Sequence, residues 1–407
     1  MKIAMISNYI NHHQIPFCRE LVQRPGVEFR FIQTEPMEEE RIAMGWGLDA
    51  GQLPYVLFLD RDRSECEEWI RDSEVLLAGW TRQEGLLRER LAGDRITIRI
   101  SERLYREGQW KAISPRGLLH KYREHTRYRK KNVFLLCAGA YVASDFSLIK
   151  AYPGKMFRFG YFPELREYTE EELNQNHPWP DKAGGGVIRL VWAGRFLPLK
   201  HPEQVIFVAE ELKKEGYRFH VDLIGGGAME EELKEATVQK GLEKEITFHG
   251  FLSPGKVREI MEKSHIHLFT SNHLEGWGAV VNEAMNSGCV EVISVEAGAG
   301  PFLVEHGFNG LFYRNSDPRD LLRQVRCLLD HPRQAEKMGL EAYRTIHREW
   351  NAGVAADRLL VFYQQIQKGE IRPPKTGPFS PAPVISPRKM DFFVRKKTGR
   401  TQRGDRK

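Results

Sequence analysis

The chain has 407 residues, of which 41% are hydrophobic and 29% are charged, and its net charge is +6. This length allows two domains with adequate cores, and the composition is ordinary for a globular protein. No apolar run approaches the ~20 residues that span a bilayer, and the first strand lacks the long apolar region of a secretory signal, so a cytoplasmic protein is expected. The cysteines are odd in number and lack metal-ligand or CxxC spacing, which indicates a reducing compartment: Cys18, Cys66, Cys137, Cys289 and Cys327.

The first half of the chain alternates short apolar segments with helical ones. Such alternation predicts a parallel sheet covered by helices. The candidate strands are 2–7, 27–33, 55–59, 75–78, 96–100 and 133–137.

Polar residues follow the first and the fifth of these strands, at the edge where open α/β sheets bind ligands. After the first strand come Asn11, His12 and His13. Adjacent histidines at this place are candidates for ligand contact, although a structural role is the usual one. Glu102 follows the fifth strand, either as a ligand contact or as part of a salt-bridged helix start.

Two segments concentrate positive charge. Residues 116–131 contain seven lysine or arginine residues and one acid, with Leu118, Leu119 and Tyr122 as an apolar edge. Helices of this type lie on anionic lipid, and a solvated face is the alternative. The tail from 369 has eleven lysine or arginine residues, three acids and six prolines, which predicts disorder and electrostatic binding of acidic lipid heads or nucleic acid. Nucleic acid is the less favoured partner, because no recognition motif accompanies the basic residues.

A linker is predicted at residues 174–186, a polar stretch with two prolines that ends in three glycines. The next strand, at 188–193, ends in Gly194 and Arg195, and Lys200 follows. Arginine can bind phosphate through two hydrogen bonds and lysine acts as a point charge, so both are candidates for an anion site. A further strand at 221–224 precedes three glycines, which alone is weak evidence for a nucleotide site.

Residues 265–295 read as strand, loop, helix and strand. The apolar runs 266–270 and 290–295 are rich in branched residues, and between them apolar positions recur at helical period from Ala279 to Met285. The loop at 275–278 therefore lies at the carboxyl edge of the sheet, and the following helix start offers unpaired N–H groups to an anion. Gly276 and Gly278 allow the backbone to come close to a ligand.

Two glutamates flank this anion site. Glu275 precedes the glycines, and Glu283 lies roughly 100° from the centre of the apolar stripe of the helix. Carboxylates accept hydrogen bonds from paired hydroxyl groups, so the layout suits a nucleotide sugar, in which sugars lie on both sides of a diphosphate. Solvated glutamates are the alternative.

The sequence EGWGAVVNEAMNSG resembles the signature of retaining glycosyltransferases of GT-B fold, which have two glutamates separated by seven residues. The segments VWAGRFLPLKHP, DLIGGG and ITFHGFLS resemble further features of that family in the same order, and the match runs from about 187 to 313. The resemblance implies an α/β protein with two Rossmann-like domains facing a central cleft and a C-terminal helix that crosses back to the first domain. The implied domains are 1–173 on the acceptor side, a linker at 174–186, a nucleotide-sugar domain at 187–345, the crossing helix at 346–368 and the tail at 369–407.

The resemblance also implies roles for individual residues. Glu275 would bind the donor sugar near the reacting carbon, with Arg195 and Lys200 supporting the departing diphosphate. Glu283 would bind ribose, and the first loop of the chain, where Asn11, His12 and His13 stand in place of the usual glycines, would line the acceptor side with Glu102. The implied donor contacts are Glu283, Gly194, Gly276, Trp277, Gly278, Ala279, Val280, Gly250 and Phe251.

The implied reaction moves a sugar from a nucleoside diphosphate to a hydroxyl acceptor with retention, and it needs no metal or cofactor. Asp60 and Asp62 resemble the metal-binding aspartates of the GT-A class, but aspartates are also common at strand ends and helix starts. SNYINHHQ together with residues 33–46 shows a general likeness to transferases of capsule, O-antigen and exopolysaccharide synthesis. Such enzymes commonly take lipid-linked acceptors at the inner membrane. Two alternatives stay open: a nucleotide-sugar or glycan-binding scaffold without catalysis, and a GT-B sugar-nucleotide epimerase that uses His12 or His13.

Overall fold

The computed structural model describes residues 1–39, 47, 49–180, 186–315 and 317–385. The described chain divides into two compact units. The first comprises Met1–Glu164 together with Trp350–Ile385, and the second comprises Leu165–Glu349.

The first unit is built on a seven-stranded parallel sheet with the order β3-β2-β1-β4-β5-β6-β7. Every residue of Val75–Ala78 and of Val133–Ala138 is buried, as expected for a parallel sheet covered on both faces. The strands are β1 Lys2–Ser7, β2 Glu28–Gln33, β3 Val56–Phe58, β4 Val75–Ala78, β5 Ile96–Ser101, β6 Val133–Ala138 and β7 Met156–Phe159. Its α-helices are Ile15–Gln23, Arg63–Asp72, Arg88–Ala92, Pro115–Glu124, Val142–Leu148 and Ala352–Gln367, with 3-10 turns at Ala50–Gln52, Glu84–Leu87, Gln109–Ile113 and Thr126–Tyr128.

The last helix, Ala352–Gln367, belongs to this first unit. Arg24, at the end of the first helix, donates a 2.8 Å hydrogen bond to Asp357, and the Phe362 ring lies edge-on to Phe134 at 5.2 Å. The predicted return of the C-terminal helix to the first domain is confirmed.

The prediction of a disordered tail from 369 is wrong for the segment around Phe379. The Phe379 side chain is 1% exposed and packs 5.4 Å from the Phe362 ring. Its backbone N–H donates to the carbonyl of Arg158 at 2.8 Å, and the Arg158 N–H donates to the carbonyl of Ser380 at 2.7 Å. One large apolar side chain and a short bridge to strand β7 thus anchor a proline-rich segment, and residues 386–407 lie outside the described part of the chain.

The second unit is built on a six-stranded parallel sheet with the order β10-β9-β8-β11-β12-β13. The strands are β8 Ile188–Ala193, β9 Phe219–Ile224, β10 Ile246–Phe248, β11 Ile266–Phe269, β12 Val290–Ser294 and β13 Gly310–Tyr313. Its α-helices are Glu170–Asn176, Glu203–Lys214, Glu230–Gln239, Pro254–Met261, Val280–Asn286, Gly300–Leu303, Pro318–Asp330 and Pro332–Arg348, with a 3-10 turn at Pro198–Lys200. No helix within the described ranges is long and apolar enough to cross a membrane.

The two units divide between Glu164 and Leu165, earlier than the linker predicted at 174–186. A helix starts in between, because Thr169 and Glu172 form a reciprocal capping box. Composition alone therefore placed the boundary too late, since the prolines and glycines follow this helix.

Candidate active site

The candidate site lies where the strand order of the second sheet reverses. Strand β8 is followed by a connection to β9 on one side, while its other neighbour is β11. At such a switch point the loops leaving two adjacent strands diverge and open a crevice at the carboxyl edge. The loops in question are the one that follows β8, containing Arg195 and Lys200, and the one that follows β11, containing Glu275.

Hydrogen bonds join these two loops firmly. The Thr270 hydroxyl donates to the carbonyl of Lys200 at 2.5 Å and accepts from the Trp192 indole at 2.8 Å. The Asn272 N–H donates to the carbonyl of Leu199 at 2.9 Å. The backbone around Lys200 is thereby fixed against the end of β11.

An ion pair between Lys200 and Glu275 spans the crevice. Their side chains are 17% and 16% exposed, and the Lys200 ammonium lies 5.6 Å from the centre of the Phe269 ring. Both side chains are therefore largely buried, but each keeps some exposed surface through which it could contact a ligand. The attraction between the two charges holds each side chain in place.

A glycine turn brings the loop after β11 over the strand end. Gly278 has φ +92°, and a Cβ on it would lie 2.4 Å from Cζ of Phe269, so no larger residue fits. Within the described chain, the backbone N–H groups of Gly276, Gly278 and Ala279 donate no hydrogen bond to another residue. Three free donors beside a lysine form a site for an anion.

The Trp277 side chain supports this loop from inside. It is 1% exposed, its indole N–H donates to Oδ1 of Asn282 at 2.8 Å, and its ring lies 6.2 Å from that of Phe302. Only the backbone of Trp277 is left for the predicted donor contact. Val280 begins the helix Val280–Asn286 and is partly buried.

Glu283, on the same helix, has a half-buried carboxylate. No hydrogen bond from the described residues reaches its side chain. Burial raises the pKa of Glu283 to about 6, and the positive charges of Arg258, His267 and Arg166 oppose this rise. The carboxylate is thus available to accept hydrogen bonds from a ligand.

A buried pair, one member of which acts electrostatically on Glu283, was missed by the sequence analysis. His267 and Glu291 face each other on strands β11 and β12, are both 0% exposed, and join Nδ1 to Oε2 at 2.8 Å. Burial raises the pKa of Glu291. The signal in the sequence was a charged or polar residue in the middle of each apolar run, but only the strand register brings the two together.

The glycines of three successive strand ends form the other wall of the site. A Cβ on Gly225 would lie 1.9 Å from the carbonyl oxygen of Gly194, and the Gly225 N–H donates to the carbonyl of Gly250 at 2.8 Å. Phe251 is 53% exposed, and one ring edge lies 2.9 Å from where a Cβ of Gly226 would be. The structure therefore brings together Gly194, Gly250 and Phe251, three of the residues that the family resemblance implied as donor contacts. Arg195, beside Gly194, is exposed.

In the first unit, the structure brings the predicted acceptor-side residues close to Tyr161. Tyr161 donates a 2.7 Å hydrogen bond to Glu102, and its ring lies 6.3 Å from that of His13. The rings of His12 and His13 are 3.8 Å apart, and burial lowers the pKa of His12 to about 4, so His12 is neutral near pH 7. Oδ1 of Asn11 accepts the N–H of His13 at 3.1 Å and so shapes the turn. Glu102 also pairs with Arg106, so the salt bridge of the alternative interpretation is present, but the helix that it implied does not start here.

Of the two aspartates considered for a metal, Asp62 has a structural role and Asp60 is exposed. Oδ2 of Asp62 accepts the backbone N–H of Phe58 at 2.9 Å, just before the helix Arg63–Asp72. No cluster of three or more metal-ligand side chains occurs in the described part of the chain.

Residues 175–345 match the family model described as glycosyl transferases group 1. The chain is 24% identical over 184 residues to the amylovoran biosynthesis glycosyltransferase AmsK of Erwinia amylovora. This alignment covers 44% of this chain and 45% of AmsK. It is 26% identical over 234 residues to the D-rhamnosyltransferase WbpZ of Pseudomonas aeruginosa, and this alignment covers 56% of this chain and 59% of WbpZ. The match thus spans about half the length of these curated relatives.

Solved structures share the whole fold. The crystal structure of HepE from Anabaena in complex with UDP has a TM-score of 0.62 at 14% identity and covers 91% of this chain and 99% of HepE. Sucrose-phosphate synthase from Thermosynechococcus elongatus has a TM-score of 0.61 at 14% identity, and the superposition covers 91% of this chain and 100% of the synthase chain. The chain therefore has the GT-B fold, and its residues 175–345 match the family of group 1 glycosyl transferases.

Proposed function

We propose that this protein transfers a sugar from a nucleoside diphosphate sugar to a hydroxyl acceptor, with retention of the anomeric configuration. The observation that carries the proposal is that the segment between strands β11 and β12 holds Glu275 in an ion pair with Lys200, three free backbone donors, and the Glu283 carboxylate, which accepts no hydrogen bond from the described residues. A cation, an amide-lined turn and two carboxylates match the diphosphate and the two sugars of such a donor.

In this proposal the diphosphate lies against the N–H groups of Gly276, Gly278 and Ala279, with Lys200 and Arg195 as cations. Glu283 accepts hydrogen bonds from the ribose hydroxyls, for which its carboxylate must be ionised. Glu275 accepts hydrogen bonds from the hydroxyls of the donor sugar and is held in place by Lys200.

The nucleobase binds beside the glycine wall, between the backbone of Gly250 and the exposed ring of Phe251. An aromatic ring with one edge against backbone and more than half of its surface exposed is suited to stack on a flat base. The structures of HepE are described as complexes with UDP and with UDP-glucose, which makes uridine diphosphate sugars the first donors to test.

The chemical demand on the site is to stabilise negative charge that grows on the leaving diphosphate. Fixed cations and backbone N–H groups do this without reorganisation, and a single such donor contributes on the order of a hundredfold in rate. The proposed reaction therefore uses the protein's own charges and no metal ion. Retention follows from the family resemblance, with attack on the same face and the leaving phosphate acting as base.

The proposed setting is bacterial surface polysaccharide or glycolipid synthesis. Relatives of this chain are named for amylovoran biosynthesis and for rhamnosyl transfer. We propose a lipid-linked glycan as acceptor, with the protein in the cytoplasm and peripheral at the inner face of the membrane.

The test is release of nucleoside diphosphate from a panel of donor sugars, with and without a membrane extract that supplies acceptors. Wild-type protein is compared with Lys200→Ala and with the matched control Lys256→Ala, an exposed lysine of the same unit. The proposal predicts acceptor-dependent consumption of one donor, lost only in the Lys200 variant. Donor binding without consumption by any extract would show a scaffold, and conversion without acceptor would show an epimerase.

A further inference from the structure

The helix Pro115–Glu124 of the first unit exposes its apolar side. Leu118, Leu119 and Tyr122 lie on one stripe at helical spacing and are 40%, 50% and 54% exposed. No residue of this helix is buried. A helix in a globular protein normally turns its apolar stripe to the core, so this one has its apolar stripe without a partner among the described residues.

The 3-10 turn just before the helix extends the same surface. In Gln109–Ile113, Trp110 is 65% exposed and Ile113 is 79% exposed. Five of the fifteen large apolar side chains that the described chain exposes therefore fall within residues 110–122. Exposed apolar residues are normally scattered singly, so this concentration marks an interaction surface.

Cations without acidic partners surround these apolar side chains. Residues 109–131 contain eight lysine or arginine residues and one acid, Glu124, which is already bound by Lys121 and His120. Within the described ranges, no acid lies within ion-pair distance of the following exposed residues: Arg116, Arg123, Arg127, Arg129 and Lys130.

We propose that residues 109–131, here called the basic ridge, dock this protein on the surface of an anionic lipid bilayer. Aromatic and aliphatic side chains at the ridge would enter the interface between headgroups and acyl chains, and the unpaired cations would meet the lipid phosphates. Charge complementarity favours lipid over a second copy of this surface, because two such ridges would repel each other. A nucleic acid would use the cations but leaves five apolar side chains without a role.

This inference deepens the proposed function, because a lipid-linked acceptor is confined to such a surface. The proposed function explains why the protein would bind a membrane, but membrane binding itself does not depend on sugar transfer. Vesicle binding needs neither donor nor acceptor, so its failure and the failure of sugar transfer are separate results.

The experiment is co-sedimentation of the full chain with vesicles of phosphatidylcholine containing about one third phosphatidylglycerol, and with vesicles of phosphatidylcholine alone. The charge variant combines Arg123→Ser and Arg129→Ser, and the apolar variant combines Ile113→Ser and Leu119→Ser. Leu148→Ser is the matched control, since Leu148 is 49% exposed in the same unit but outside the ridge.

Wild-type protein and the Leu148 control are expected to bind the anionic vesicles, with little binding to phosphatidylcholine alone. Each lost cation should weaken partitioning about fivefold, so the charge variant should bind about 25-fold more weakly. The apolar variant should also bind more weakly, and in wild-type protein the total tryptophan emission, to which the exposed Trp110 contributes, should shift to shorter wavelength when anionic vesicles are added. Sugar transfer to a soluble acceptor should be unchanged in both variants.

Three results would overturn the inference. The first is that both ridge variants bind the vesicles as wild-type protein does. The second is that a variant with an intact ridge loses all vesicle binding when three residues of the tail are changed together, Arg395→Ser, Lys396→Ser and Lys397→Ser. The third is a wild-type dimer in solution that becomes monomeric in the apolar variant while no vesicle binding is seen, since this would make a second copy the partner.

Discussion

Replacing Glu283 by glutamine should change stability and ligand binding in opposite directions. Burial raises the pKa of this carboxyl from 4.5 to about 6. At pH 7 the folded protein therefore holds an ionised group that its surroundings disfavour, at a cost of about 2 kcal/mol. Glu283→Gln keeps the shape and removes the charge, so the unliganded variant should gain up to about 2 kcal/mol in free energy of unfolding.

The same variant should bind nucleoside diphosphates poorly. A hydrogen bond to a charged group contributes about 1.5–3 kcal/mol, so the loss of the carboxylate predicts affinity about ten- to a hundredfold weaker. If Glu283 binds the ribose as proposed, its ionised form should accept hydrogen bonds from both hydroxyls, which the protonated form does less well. Lowering the pH from 7 to 5 passes through the pKa near 6 and should weaken binding about tenfold.

The sign of the stability effect also depends on pH. Because the pKa is higher in the folded than in the unfolded protein, the destabilisation is complete above about pH 6 and disappears as the pH falls to about 4.5. The advantage of Glu283→Gln in urea unfolding should therefore be present at pH 7 and absent near pH 4.5.

Urea unfolding and calorimetric titration with UDP measure the two effects. The control is Glu259→Gln, an exposed glutamate on the helix Pro254–Met261, which should alter neither quantity. If Glu283→Gln binds UDP as tightly as wild-type protein does, the proposed ligand contact of Glu283 is wrong. If the variant is less stable than wild-type protein at pH 7, the proposed destabilisation by the ionised carboxylate is wrong.

Three other substitutions test the remaining parts of the site. Lys200→Ala should lower the turnover number on the order of a hundredfold or more with a smaller effect on donor affinity, measured by steady-state kinetics; equal loss of both would contradict its role on the leaving group. Glu291→Gln should destabilise the fold by about 3–5 kcal/mol in urea unfolding, whereas valine at both His267 and Glu291 should be nearly neutral, because the pair is desolvated. Gly225→Ala should lower the melting temperature more than Gly26→Ala does. Both glycines have a positive φ, but only at Gly225 would the added Cβ meet backbone, at 1.9 Å from the carbonyl oxygen of Gly194. Equal decreases in melting temperature would show that the backbone around Gly225 can relax.

The strands of the first half were predictable from the sequence because parallel strands buried on both faces are continuous apolar runs. Strands β1 and β4 have the predicted bounds, and the other four differ by one residue at one or both ends. Strand β7, Met156–Phe159, was missed because it is short and alternates partly buried with buried residues at the edge of the sheet. Alternation over four residues is too little to separate a strand from a loop.

The elements of the site were predictable for a different reason. In a parallel sheet every strand ends at the same edge, so residues that follow strands converge whatever their separation in sequence. Lys200 and Glu275, 75 positions apart, were both placed at this edge, but their ion pair depends on strand order, which spacing does not show. The pairing of His267 with Glu291 depends on strand register and was equally hidden.

The measurement that tests the central claim most directly is the release of nucleoside diphosphate from donor sugars in the presence of membrane extract and a chelator. The account predicts that one donor is consumed only when acceptor is present, that the chelator has no effect, and that Glu283→Gln and Lys200→Ala are both strongly impaired. Unimpaired variants would contradict the site, and consumption that requires a divalent ion would contradict the proposed metal-free mechanism.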